Sequence, residues 1–129
     1  MATGSTSPPM LRLARSPQSA TYAMTLAAWV AVYANSCTLA YLFAGASIDL
    51  SNMQAGDTIL IRISKQLMPG AGYIIHDQVP YSGAQPASHP AVRIAPISDV
   101  YGVLIEMQQS AGVARSVNVE VFDAKRLGL

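Results

Sequence analysis

The chain has 129 residues, 51% of them hydrophobic and 12% charged, with a formal net charge of +1. That length suits one domain, and the apolar share builds a core and excludes a disordered chain. The near-neutral balance supplies no strong field to advertise nucleic acid or an acidic partner, and no nucleic acid is expected.

Residues 1–18 read as an extended N-terminal arm. Met1 to Pro9 is small, polar and proline-punctuated, and Pro17 adds a second break. Such a segment does not repay its ordering entropy by itself. It is therefore expected to lie on a neighbouring chain. Met10, Leu11 and Leu13 would fill apolar pockets there, and Arg12 and Arg15 would face acidic groups. Residues 19–129 are expected to form one β-domain with a short C-terminal tail, whose Lys125-Arg126 pair reads as a solvated end.

No charged residue occurs between Arg15 and Asp49, a gap of 33 positions. Arg12 and Arg15 ahead of the apolar run 20–34 resemble the start of a signal peptide. Thr21, Tyr22 and Thr25 interrupt that run. Asn35, Ser36, Cys37 and Thr38 stop it short of the roughly 20 residues a spanning helix needs. Neither a cleaved signal nor a membrane span is expected.

From residue 20 onward the dominant period is two. Strands are predicted near 22–34, 38–48, 58–65, 72–80, 90–95, 101–109 and 115–123. Ile59, Ile61 and Ile63 share one face, as do Val103, Ile105 and Met107, and again Val117, Val119 and Val121. β-Branched residues suit such half-buried pleated surfaces. The alanines of 22–34 also carry helix propensity, which leaves a helix as the alternative there. Read as a strand, this run is apolar on both faces and is expected to be buried on both. Tyr22, Trp29, Tyr33, Tyr41 and Phe43 are candidate interface residues, since aromatic side chains are favoured where proteins meet. Between the strands stand turn signals such as Met68-Pro69-Gly70. Ser110-Ala111-Gly112 is expected to close a hairpin between the last two strands. About seven short strands at this spacing predict an all-β fold, a β-sandwich or jelly roll.

The chain carries no catalytic signature. Cys37 is single, which excludes an internal disulfide and a cysteine metal cluster. His76 and Asp77 are adjacent, and strand neighbours point to opposite faces, so they are not expected to form one site. His89 stands between prolines with no metal-ligand spacing around it. Asp57 is expected to satisfy backbone N–H groups at a turn. There is no nucleophile elbow and no phosphate loop. No enzyme activity, cofactor or metal is expected.

The blocks Ile48-Asp49-Leu50-Ser51-Asn52-Met53-Gln54-Ala55-Gly56-Asp57-Thr58 and Ile59-Leu60-Ile61-Arg62-Ile63, then Tyr81-Ser82-Gly83-Ala84-Gln85-Pro86, then Tyr101-Gly102-Val103 leading to Gln108-Gln109-Ser110-Ala111-Gly112, carry a resemblance. They resemble small all-β proteins of phage and archaeal-virus structural modules, over about residues 38–123. The resemblance implies a virion protein of the capsid decoration (cement) or minor capsid type. Such a protein would sit on the capsid surface after synthesis in the host cytoplasm. Its partners would be the major capsid protein or other virion subunits, and it would be a homo-oligomer, with a trimer among the options. The alternatives are another virion component (tail-tube, filament or shell subunit) or a secreted β-sandwich binding module.

Overall fold

The β-branched, alternating runs form strands, and hydrophobic burial stacks those strands into two layers. The structure, a computed structural model, describes residues 11–36, 41–68, 70–97 and 101–126. Nine strands follow in chain order: β1 (Leu11–Arg15), β2 (Ala20–Ala23), β3 (Trp29–Ser36), β4 (Tyr41–Asp49), β5 (Thr58–Lys65), β6 (Ile74–Ser82), β7 (Ala91–Ile94), β8 (Gly102–Ala111) and β9 (Ser116–Arg126). One sheet runs β1-β9-β4-β7, with β2 also on β9; the other runs β3-β8-β5-β6. Every pairing between these strands is antiparallel.

The pairs are nested. β5 pairs with β6, β4 with β7, β3 with β8, and β2 with β9. A long ribbon folded back at the β5–β6 connection and rolled into two layers gives this arrangement, which is a jelly roll. The all-β sandwich expected from the sequence is the observed fold. Its core lies between the sheets, where Ile59, Ile61, Ile63, Val103, Ile105, Met107, Val117, Val119 and Val121 are all buried, each on its expected face.

Three expectations are corrected. The first concerns the arm. Residues 11–15 are β1, paired with β9 of the same chain, from Leu11 opposite Arg126 to Arg15 opposite Phe122. β1 and β2 run along β9 almost as one strand, interrupted at 16–19. Proline has no N–H for a ladder, so the chain loops out at Pro17. Ser16 N–H donates to Val121 O at 2.7 Å. The Ser19 hydroxyl accepts from Val121 N–H at 2.9 Å, bridging the gap in the ladder. Residues 1–10, with Met10, lie outside the described residues.

The second concerns 22–34. This run is not one doubly buried strand but β2 of one sheet and β3 of the other. A chain crossing between layers roughly 10 Å apart cannot remain one strand. It turns at 24–28, where Met24 N–H donates to Arg115 O at 2.8 Å and Ala27 N–H to Gln109 O at 2.9 Å. A bulge between Ala31 and Tyr33 then turns both Val32 and Tyr33 into the core, leaving Ala31 and Ala34 exposed.

The third concerns 110–112. β8 and β9 belong to different sheets, so their connection is an arch and not a hairpin. Two buried side chains hold that arch. Gln109 donates through Nε2 to Ala111 O at 3.0 Å and Val113 O at 2.6 Å, and accepts from Arg115 N–H at 2.9 Å. Asp57 Oδ1 accepts from Val113 N–H at 3.1 Å. Its Oδ2 accepts from Gln54 N–H at 2.9 Å and from Arg115 Nε at 2.7 Å. The turn role expected of Asp57 is observed, and it extends to the arch.

Candidate interaction surfaces

The residues expected to meet a partner are dispersed. Leu13 is exposed on β1. Arg15 forms a 2.9 Å ion pair with Glu120 on β9, so its guanidinium already has a carboxylate from its own chain. Leu11 and Arg12 stand on β1 and Tyr41 at the start of β4. Tyr33 and Phe43 are corrected from interface to core. They are 1% and 2% exposed, with ring centroids 5.5 Å apart at a 48° tilt. Alternation assigns a face only once the partner strand and its bulges are known, and both residues adjoin bulges.

Tyr22 is half-buried, and its hydroxyl reaches the carbonyls of Gln18 and Val32. Burial pushes its phenol up from the usual value. Gln18 donates through Nε2 to Ala34 O at 2.8 Å and accepts from Ala34 N–H at 2.9 Å. The amide thus pairs with β3 as a strand backbone would, capping that edge. Trp29 lies beneath Arg62, whose guanidinium carbon is 3.8 Å from the ring centroid. Arg62 Nη2 also donates to Glu106 Oε1 at 2.8 Å. This stack covers part of the outer face of β3-β8-β5, and Trp29 is half-buried within its own chain.

Deeper in the protein, Asn35 Nδ2 donates to the Tyr33 hydroxyl at 3.3 Å. That hydroxyl bonds the nearly buried Asp123 carboxyl. Burial pushes the Asp123 carboxyl up more strongly than the Tyr33 bond lowers it. At Asp57 the balance is reversed. The Arg115 guanidinium first, then the Gln54 and Val113 N–H groups, hold it below the usual carboxylate range.

The open side of the sandwich, between the edge strands β6 and β7, holds a groove of about 300 Å³. Ile61, Ile63, Val79, Tyr81, Val92 and Ile94 form apolar walls, and His76, Asp77 and Arg93 add polar groups. His76 and Asp77 therefore share a face, against the expectation from simple alternation. The register explains it: Ile63 is opposite Asp77 and Ser64 opposite Ile75, so His76 is an extra residue in a bulge. A bulge interrupts the period of two. Neither composition nor spacing signals it, because it is defined by the partner strand.

β6 is exposed along Ile74–Pro80. Six of the nine exposed large apolar side chains among the described residues fall here or just before it: Leu67, Met68, Tyr73, Ile74, Ile75 and Val79. Among the described residues no group of three or more His, Cys, Asp or Glu is placed to hold a metal, and no helix is long and apolar enough to cross a membrane. Cys37 lies outside the described residues.

No family model matches the chain, and no curated protein does. Among solved structures it is similar to that titled "Crystal structure of infectious bursal disease virus VP2 subviral particle", at 12% identity and a TM-score of 0.49. The match covers 92% of this chain and 32% of that one, so the chain spans about a third of the length of the protein it matches.

Proposed function

We propose that this chain is a non-enzymatic virion structural protein, a capsid decoration or minor capsid subunit that binds other virion subunits and stabilises the shell. The carrying observation is where the molecule places its apolar and polar groups. Among the described residues, six of its nine exposed large apolar side chains fall on the edge strand β6 or in the loop before it, as a protein-contact surface requires. Its buried polar side chains Asp57 and Gln109 are engaged in holding backbone loops. Jelly rolls serve viral capsids, lectins and cupins alike, so the fold alone does not choose. The proline-rich segment 1–10 and the resemblance over residues 38–123 favour the virion reading. Many copies bound only to the assembled shell would stabilise it by mass action.

The test is quantitative mass spectrometry of purified particles carrying either the full chain or a chain lacking residues 1–10. The full chain is expected at a fixed copy number, and the shortened chain at markedly reduced occupancy. Absence of the full chain from particles would sink the virion reading. Full occupancy by the shortened chain would sink the arm's role.

A secreted binding module is the second reading. A shallow depression on the outer face of the β1-β9-β4-β7 sheet favours it, lined by Thr21, Ser47, Asp49, Asn118 and Glu120. Saturable binding of a soluble glycan, lost in Asn118→Ala, would support that reading against the first.

A further inference from the structure

The edges of the two sheets are treated unequally. β7 has only four residues, β1 and β2 five and four, and β3 is capped by Gln18 and Tyr22. Short or covered edges are the usual protection against unwanted pairing. β6 has nine residues, and among the described residues no strand pairs with its outer side. It also carries the exposed Ile74, Ile75 and Val79, with Tyr73 just before it.

We propose that β6 pairs with β6 of a second copy of this chain, antiparallel about a two-fold axis, joining the two β3-β8-β5-β6 sheets into one. This deepens the structural reading above and rests on the chain acting as an assembled subunit. A two-fold interface must be self-complementary, and β6 meets that condition in one register. Placing His76 opposite the second copy's Asp77 also places Asp77 opposite its His76. The histidine and the aspartate of the strand then each face their complement, with imidazole N–H donating to carboxylate. The same register sets Ile74 opposite Val79 twice and Tyr73 opposite Pro80 twice, and such apolar cross-strand pairs stabilise a sheet.

The bulge makes this register geometrically allowed. In a regular strand adjacent residues point to opposite faces, so residues 76 and 77 could not oppose each other with side chains on one face. Here both side chains line the same groove, and the extra residue at His76 supplies the change of parity. Pro80 has no N–H to donate, and it pairs with Leu60 on the inner side without breaking the fold. In the proposed register it falls opposite Tyr73, beyond the end of β6 of the second copy, where a lost donor costs least.

The test is sedimentation equilibrium of the isolated full-length chain across a range of protein concentrations, with circular dichroism to confirm folding of each variant. A dimer is expected. Ile74→Lys, an exposed position, is expected to leave monomer, and Val113→Lys, exposed on the β8–β9 arch, to leave the dimer intact. His76→Asp sets carboxylate against carboxylate and is expected to weaken association by about tenfold or more. The swapped double variant His76→Asp with Asp77→His restores the complement and is expected to recover most of that loss. A monomeric wild type overturns the proposal, as does a dimer insensitive to Ile74→Lys or a swap that fails to recover. Because the isolated chain is used, a failure here leaves the particle occupancy result standing separately.

Discussion

At the residue scale, two aspartates of the same sequence type act with opposite sign. Arg115 and two backbone N–H groups depress the Asp57 carboxyl. Its contribution to stability is full above the unfolded value near pH ~3.9 and is lost as pH falls through the lower folded value. Burial raises Asp123. Its contribution is present below the unfolded value and is lost as pH rises through the raised folded value. Asp57→Asn is therefore expected to lower Tm at neutral pH, and Asp123→Asn to raise it. Both differences should shrink below about pH 4, as thermal melts across that range will show; differences independent of pH would contradict the assignment. The arch gives a second residue-scale expectation. At Gly112, where φ is +92°, an added Cβ would sit 2.0 Å from Asp57 Oδ1 and 2.7 Å from its Cα. The backbone conformation and the clash act together, and the usual cost of a misplaced alanine at positive φ is already above ~1 kcal/mol. Gly112→Ala should lower Tm well beyond an exposed-site control such as Ala87→Gly. The turn role of Asp57 was legible in Gln54-Ala55-Gly56-Asp57. Its grip on Val113 and Arg115 was not, because no spacing rule links positions more than fifty residues apart.

At the element scale, the strands with one buried face were plain from their alternation. β5 matches its predicted span, β8 and β9 begin one residue later and run past their predicted ends, and all three keep their predicted faces because one side meets the core and the other does not. Where both sides have the same character the reading weakened. The run 22–34, expected as one strand buried on both faces, is instead β2 of one sheet and a bulged β3 of the other. The prolines of the arm point to a partner chain, yet β1 within it finds its partner in β9. That pairing predicts a contrast. Removing residues 1–10 should leave the melting temperature close to wild type. Removing residues 1–15 strips β1 from β9 and exposes an edge of the longest strand in the fold, so it should destabilise the chain and promote association. Calorimetry and light scattering on the two truncations will separate them, and equal behaviour would mean that β1 contributes nothing to the sheet.

At the scale of the whole molecule, nested pairing brings the first and last described strands together, with Leu11 opposite Arg126. Among the described strands only the β5–β6 pair joins neighbours in sequence. Loop closure must precede most of the stabilising contacts, so refolding is expected in about milliseconds to seconds, as for other all-β sandwiches. Stopped-flow fluorescence of Trp29 can measure it, and microsecond folding would contradict the topology. The sequence alone determined the all-β class, the inward faces of β5, β8 and β9, and the absence of known catalytic motifs. These follow from local rules, a period of two and the chemistry of turns. Tertiary structure alone decided which strands pair, which sheet each joins, and that His76 and Asp77 face the same way. Those outcomes depend on register between distant segments. One inserted residue at a bulge reverses a face, and composition carries no record of it.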